Sequence, residues 1–180
     1  MTAPANRMPE PVPETVPVEL VIEDGRWREL NIEIRANLAC RTTLETLGID
    51  PARCEIALLA CDDVRISELN RDFRRKPQPT NVLSWPAEDL AADQDGAAPL
   101  PPLGEGGDFP IALGDIAIAY DTTMREAAEM GIPAKDHLTH LLIHGCLHLL
   151  GYDHVSEKDA ALMEQLEVTI LAKLGIADPY

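Results

Sequence analysis

The five histidines of the chain are confined to one short segment. They are His137, His140, His144, His148 and His154. At about 100° of rotation per residue, the first four fall on one stripe of a predicted helix over residues 134–150. Neighbouring imidazoles repel one another once they are protonated, so a cluster of this kind needs partners. A metal ion shared by several of the rings would be such a partner.

The segment HGCLHLLGYDH indicates which histidines share the ion. His144 and His148 are four residues apart, so their rings are neighbours on one helix face. Gly151 allows the helix to end in a left-handed turn that returns His154 as a third ligand. The spacing H-x3-H-x2-G-x2-H equals that of the long metzincin zinc signature. Three histidines leave a fourth coordination position for water, as in catalytic zinc sites. We therefore expect one Zn²⁺ per chain, although Ni(II), Co(II) and Cu(II) also accept such ligands.

One position of this segment argues against ordinary peptide hydrolysis. Metalloproteases with this signature have a glutamate directly after the first histidine, and it acts as the general base. Here that position is Gly145, which cannot take a proton. A metal still lowers the pKa of bound water towards about 7 without a protein base. What the reaction then needs is a group that stabilises developing negative charge.

The segment NRDFRRKPQPTNVLSWP contains such groups. Its cations are Arg71, Arg74, Arg75 and Lys76. Against Asp72 they give a local excess of about three positive charges in a chain of net charge -16. Guanidinium groups bind phosphate oxygens in a bidentate manner, which favours a phosphate-binding edge. A solvated helix end whose cations interact with the helix dipole would have the same composition. Asn81 and Ser84, which follow, could hydrogen-bond to a nucleic-acid backbone.

Composition limits the class of protein. The 180 residues correspond to about one domain. With 15 Lys and Arg against 31 Asp and Glu, the chain is not a generally basic nucleic-acid coat. Two Phe, three Tyr and two Trp are too few for an aromatic stacking platform. Four scattered cysteines indicate buried thiols in a reducing compartment. We expect a cytoplasmic protein without a signal peptide or a membrane span.

The elements that must position these residues suggest an α+β fold with one compact sheet. Proline density predicts a flexible arm over residues 1–17, followed by a single domain over 18–180. Residues 86–109, acidic and rich in proline and glycine, are expected to form a solvated loop insertion. Strands are predicted over 19–23, 54–61, 81–85 and 111–120. Helices are predicted over 29–47, 62–75, 121–130, 134–150 and 156–174. The first helix should bury Leu30, Ile34, Leu38 and Leu44 and end at Gly48.

The segments HGCLHLLGYDH, LNRDFRRKPQPTNVLSWP and LGDIAIAY together resemble the YbeY family of bacterial endoribonucleases, which act in ribosomal RNA maturation. They span most of residues 69–154. The resemblance implies an α+β fold with a small mixed sheet and a metal-binding helix like that of the zincin proteases. It also implies zinc at His144, His148 and His154, and a functional arginine at Arg74. The proline-rich arm and the acidic insertion depart from the family pattern.

The function that we expect is metal-dependent cleavage of single-stranded RNA. The resemblance implies processing of the 16S rRNA 3′ end and quality control of the small ribosomal subunit. Partners would be ribosomal RNA, the small subunit and its associated proteins, and neither DNA nor a membrane. Arg74 would stabilise charge on the scissile phosphate. Residues expected to contact RNA are Arg71, Arg75, Lys76, Asn81 and Ser84. Residues expected to support the metal ligands from behind are His140 and Asp153.

Three alternatives stay open at this point. The protein could be a metallohydrolase of peptides with a base from elsewhere, for which Asp153 is a candidate by proximity. It could be a non-catalytic ribosome assembly factor with a structural zinc, a reading that the net acidity favours. Within the nuclease hypothesis, the nucleophile could be water or the 2′-hydroxyl of the RNA.

Overall fold

A computed structural model of the chain describes residues 17–104 and 106–180. Its strands are β1 (Val18–Ile22), β2 (Cys54–Cys61), β3 (Val82–Pro86) and β4 (Ile111–Ala119). Its α-helices are α1 (Ile32–Thr46), α2 (Asp63–Arg74), α3 (Tyr120–Met130), α4 (Ala134–Leu149) and α5 (Glu157–Lys173). Short 3-10 helices cover Gly25–Leu30 and Pro51–Arg53. The predicted α+β class with one small sheet is confirmed.

The four strands form one mixed sheet in the order β1-β2-β4-β3. Neighbours among β1, β2 and β4 run parallel, whereas β3 is antiparallel to β4 and forms an edge. The central strands are largely apolar, as expected where helices cover a parallel sheet. Edge strand β3 is the strand that lies along α4, and it therefore faces the histidine segment.

Helix α4 lies in the centre of the molecule, between the sheet and helices α1, α3 and α5. Its leucines and Ile143 are buried in the main core, as its sequence of apolar residues on most sides requires. The histidine stripe of α4 meets two neighbours, because His137 contacts α3 and His140 and His144 contact α5. Helix α2 packs on the other face of the sheet through Ile66, in a smaller cluster.

The predicted helix over residues 29–47 was wrong in its start and in its buried face. Asn31 has a left-handed backbone with φ 51° and separates a 3-10 helix from α1. Two residues expected in the core, Ile34 and Leu38, are 69% and 48% exposed. The buried residues of α1 are Ile32, Ala36, Ala39, Cys40, Thr43 and Leu44. The buried face of α1 therefore consists largely of small side chains, whereas the spacing of the large apolar residues indicates another face.

The other elements end within one residue of their predicted limits. Gly48, with φ 73°, follows α1 as expected for a helix end. Ser156 caps α5, since its hydroxyl accepts a hydrogen bond from the Asp159 amide at 3.1 Å. All four cysteines are buried free thiols. Within the described ranges no helix has the length and apolar character needed to cross a membrane.

Two predicted segments differ in how far the structure describes them. The arm over residues 1–17 lies outside the described residues except for Pro17, whose carbonyl accepts a hydrogen bond from the Ile56 amide at 2.7 Å. The acidic segment 86–109 joins β3 to β4 and packs on the turn after α4. Leu90 in this loop is buried, and the Gly96 amide donates to the Asp159 carboxylate at the start of α5 at 2.7 Å.

Candidate metal centre

Two histidines one turn apart on α4 face each other through the same ring nitrogen. Nε2 of His144 and Nε2 of His148 are 3.0 Å apart. The other nitrogen of each ring contacts an oxygen: His144 Nδ1 lies 2.7 Å from Glu167 Oε1, and His148 Nδ1 lies 2.9 Å from the Tyr152 carbonyl. A carboxylate and a carbonyl can only accept, so each neutral ring carries its proton on Nδ1. Both Nε2 atoms therefore present lone pairs.

Two lone pairs directed at each other at 3.0 Å repel unless a cation lies between them. Neutral imidazoles with Nδ1 hydrogen-bonded to an oxygen are the usual state of histidine metal ligands. The residues present therefore fit a divalent ion bound by the Nε2 atoms of His144 and His148.

His154 supplies the third ring. Its centroid lies 5.4 Å from that of His144 and 5.0 Å from that of His148. One ligand atom from each of the three residues lies within 4.8 Å of the others. His144 and His148 are partly buried and His154 is exposed, so the triad opens to solvent on one side. The predicted set of three histidines could hold a metal ion.

The turn that returns His154 requires glycine at position 151. Gly151 has φ 92°, a conformation that residues with a Cβ rarely adopt. A Cβ atom there would lie 2.8 to 3.0 Å from backbone and side-chain atoms of Leu90. The acidic loop thus packs directly against the turn.

Burial and the neighbouring histidines keep His148 neutral, which is the form that binds a metal ion. Burial, together with repulsion from His144 and His154, lowers the pKa of His148 to about 4. The ring is therefore neutral at physiological pH, as metal binding requires. Burial acts to raise the pKa of Glu167, but hydrogen bonds from His140, His144 and Tyr180 outweigh it and lower that pKa to about 2. Glu167 is therefore a buried carboxylate.

Sequence reasoning missed Glu167, which is only 1% exposed. Its Oε1 faces His144, and its Oε2 contacts His140 Nε2 at 2.5 Å and accepts from the Tyr180 hydroxyl. We call these four residues the Glu167 network. His140 thus shares the Glu167 carboxylate with His144. The signal available was an acid on the buried stripe of α5, between Met163 and Ile170.

A second carboxylate, that of Glu126, contacts His137, the first histidine of the stripe on α4. Glu126 on α3 lies 2.7 Å from His137 Nε2 and accepts from the Asn81 amide at 3.0 Å. The Asn81 carbonyl oxygen accepts from the Val82 amide, so this side chain is engaged within the protein. Asn81 fixes the start of β3 against α3 and α4.

A cleft beside the triad brings parts of the two sequence motifs together. Arg74, Ser84, His148 and Asp153 contribute to the lining of this Arg74 cleft, whose volume is about 400 Å³. Arg74 ends α2 and makes no ion pair among the residues that the structure describes. Arg74 thus shares the cleft with His148 of the triad, while Glu88 and Asp89 add acidic side chains to the same lining.

The other predicted residues differ in their contacts, and Arg71, Arg75 and Lys76 are not part of the cleft lining. Arg71 pairs with the adjacent Asp72 at 3.2 Å, and both side chains are exposed. Arg75 and Lys76 follow the end of α2 and are exposed. The Asp153 carboxylate accepts from the His154 backbone amide at 2.7 Å. That bond fixes the turn, and no hydrogen bond joins Asp153 to a histidine ring of the described chain.

Gly145 occupies the position at which metalloproteases of this signature have their general base. Here it packs against the sheet. A Cβ atom there would lie 3.2 to 3.4 Å from the Ile116 side chain and the Ser84 hydroxyl oxygen. The Ser84 hydroxyl donates to the Gly145 carbonyl at 3.3 Å. Helix α4 lies close to the sheet at this point, which leaves little room for an acid next to His144.

Comparisons with known proteins agree on one family. A family model described as Endoribonuclease YbeY matches residues 21–175. Endoribonuclease YbeY of Ruegeria pomeroyi is 56% identical, over 91% of this chain and 97% of the relative. The Cereibacter sphaeroides protein is 54% identical, over 91% of this chain and 98% of the relative. The Rhodospirillum rubrum protein is 43% identical, over 94% of this chain and 84% of the relative.

A solved structure has a similar fold. The solution structure of a Thermotoga maritima protein matches with a TM-score of 0.50 and 18% identity, over 88% of this chain and 91% of that chain. This likeness concerns the fold, while the family rests on the sequence matches. With the histidine triad and the cleft in place, the chain belongs to the endoribonuclease YbeY family.

Proposed function

We propose that this protein is a zinc-dependent endoribonuclease that cleaves single-stranded RNA in the Arg74 cleft. The observation that carries the proposal is that Arg74, a cation without an ion-pair partner among the described residues, shares one cleft with His148 of the triad. A phosphodiester in this cleft would meet both a guanidinium group and the metal ligands. The relatives are named as endoribonucleases, which supports the same reaction class.

Zinc suits the ligand set, because three neutral imidazoles and an open position are typical of catalytic zinc. His144, His148 and His154 would hold the ion. A bound ion would supply Lewis-acid chemistry and lower the pKa of a coordinated water. The protein's own contribution is to orient the rings and to fix their protons on Nδ1, through Glu167 and the Tyr152 carbonyl.

Arg74 would bind the scissile phosphate and stabilise the charge that develops on it. Arg75 and Lys76, exposed just beyond it, would extend the contact along the RNA backbone, with Arg71 at the outer end. Such a local cationic edge is needed here because the whole chain has a net charge of -16 and would otherwise repel RNA. Ser84 lies in the cleft with lone pairs left on its hydroxyl. We propose that Asn81 acts indirectly, by fixing β3 beside the RNA.

The substrate that we propose is ribosomal RNA, at the 3′ end of the 16S rRNA, on the small ribosomal subunit and with its associated proteins. The family membership and the motifs that carry it support this assignment. Four buried free cysteines are consistent with action in the reducing cytoplasm. We further propose that residues 18–180 act as one domain, with the segment before them as a separate arm.

The test compares two arginine variants of the purified protein. We expect Arg74→Ala to retain zinc and thermal stability but to lower kcat/KM on single-stranded RNA by about 100-fold, as when one charge-stabilising donor is removed. The control is Arg53→Ala, since Arg53 is an exposed arginine outside the cleft. Chelation should abolish cleavage by the parent, and added Zn²⁺ should restore it. Parent-like cleavage by Arg74→Ala would remove the cleft from the proposal.

The same assay separates the other readings. Folded, zinc-loaded protein that cleaves no RNA, and that unfolds when zinc is removed, would indicate a structural metal in an assembly factor. Products that end in a 2′,3′-cyclic phosphate would assign the attack to the 2′-hydroxyl of the RNA. A 5′-phosphate with a 3′-hydroxyl would assign it to water.

A further inference from the structure

We propose that Tyr180 is a positioning residue of the metal centre, acting through Glu167 on His144. The proposal rests on the proposed metal centre and goes beyond it, because it assigns a role to a side chain far from the ligands in sequence. Tyr180 touches no ligand ring of the triad. Its hydroxyl donates to Glu167, which in turn holds the Nδ1 proton of His144.

The Glu167 network fixes both oxygens of one carboxylate. Oε1 faces His144 at 2.7 Å, while Oε2 faces His140 at 2.5 Å and the Tyr180 hydroxyl. A carboxylate with partners on only one oxygen could rotate, and the partner of the His144 proton would then move. With donors on both oxygens, the orientation of the His144 ring is determined from two elements, α4 and the segment after α5.

The placement of Tyr180 points to its hydroxyl as the group that matters. The residue as a whole is 62% exposed, while its hydroxyl reaches the buried Glu167 carboxylate. Its backbone amide donates to the Asp178 carboxylate at 2.9 Å, and its ring stands edge-on to His140 with centroids 5.8 Å apart. In this position the ring of Tyr180 brings its hydroxyl group to the buried Glu167 carboxylate.

The energetics of burial explain why a third donor is needed. Glu167 lies on the stripe of α5 that also buries Met163 and Ile170. A buried charge is costly unless its lone pairs are hydrogen-bonded. Without Tyr180, Oε2 would have His140 as its single donor among the described residues. His140 also lies 3.4 Å from the Tyr180 hydroxyl, so loss of that hydroxyl would loosen its position too.

The test measures metal affinity in the full chain and does not depend on nuclease activity. Zn²⁺ affinity is determined by chelator competition, the Co²⁺ absorption spectrum reports ligand geometry, and the Tm of metal-free protein reports folding. We expect Tyr180→Phe to weaken Zn²⁺ binding by about threefold to tenfold. Glu167→Gln should weaken it by about 10–100-fold, the usual effect of losing a direct partner of a metal ligand.

Each variant has a matched control. Tyr120→Phe removes a hydroxyl from a ring that packs on Trp27 and Arg26, away from the histidines. Glu33→Gln removes a charge from an exposed position of α1, another helix that packs on α4. Both controls should bind Zn²⁺ within about twofold of the parent, with an unchanged Co²⁺ spectrum. A shifted spectrum in Tyr180→Phe, with the metal-free Tm retained, would support the positioning role.

Two results would overturn the proposal. Zn²⁺ affinity and a Co²⁺ spectrum equal to those of the parent would exclude Tyr180 as a positioning residue, and a lowered metal-free Tm alone would show that it only packs. If the parent itself binds neither ion, the proposed metal centre fails, and the role of Tyr180 fails with it. The parent measurement therefore separates the two failures.

Discussion

The two halves of the histidine triad are built in different ways. His144 and His148 lie one turn apart on a buried helix, and each has its Nδ1 atom hydrogen-bonded to an oxygen. His154 is exposed, and its ring makes no hydrogen bond among the described residues. The first half is thus preorganised by helix geometry and by fixed acceptors. The second half depends on the backbone of the turn that carries it.

This difference indicates that the three ligands contribute unequally to the metal affinity. A site whose ligands are held on rigid elements binds more tightly than one whose ligands must be ordered first. The rings of the helix pair are already held by hydrogen bonds, whereas the exposed His154 ring has none among the described residues and therefore loses more conformational freedom when an ion binds. Loss of a ligand from the helix should therefore cost more than loss of the ligand from the turn.

The largest expected effect is that of His148→Ala on metal binding. An equal division of roughly 10 kcal/mol of binding free energy among three ligands would give each about 3 kcal/mol. A preorganised helix ligand should contribute more than this share, so the affinity should fall by more than about 100-fold. Metal content and chelator competition measure this. His137→Gln is the control, because His137 lies on the same helix but contacts Glu126. Full metal occupancy in His148→Ala would remove it from the ligand set.

An intermediate effect is expected for His154→Ala. Metal affinity should fall by about tenfold, because water can replace an exposed ligand while the helix pair stays in place. The Tm of the metal-free protein should not change, since the ring is exposed and unbonded. Chelator competition and differential scanning fluorimetry give the two values. A loss of affinity as large as that of His148→Ala would contradict the unequal division of the site.

The smallest effect on metal binding is expected from the turn itself. Gly151→Ala should destabilise the protein by about 2 kcal/mol, through left-handed strain and overlap with Leu90. It should also weaken metal binding a few-fold by displacing His154. Gly48→Ala is matched to it, because Gly48 also has a positive φ but a Cβ there meets no atom within 4 Å.

Denaturant unfolding of both glycine variants measures this prediction. Gly48→Ala should cost about 1 kcal/mol, from backbone strain alone, and leave metal affinity unchanged. If the two variants are equally destabilised, the contact between the acidic loop and the turn does not support the site.

The features that could be predicted from the sequence are those that depend on the spacing of residues within one short segment. The limits of α4 and the choice of His144, His148 and His154 follow from the 3.6-residue period and one glycine, which act over about a dozen residues. The buried face of α1 could not be predicted in this way. Its buried face includes Ala36, Ala39 and Cys40, whose small size matters only once the elements that pack on α1 are known.

The sequence by itself determined which histidines come together, because a helix and the turn after it set their separation without help from the rest of the fold. Tertiary structure decided which residues from other elements hydrogen-bond to these histidines. Glu167 reaches His144 from α5, 23 residues along the chain, and Tyr180 reaches Glu167 from the segment after α5. It also decided that Arg74, on a different helix, shares a cleft with His148. Such pairings depend on how separate elements pack, and no local pattern encodes that packing.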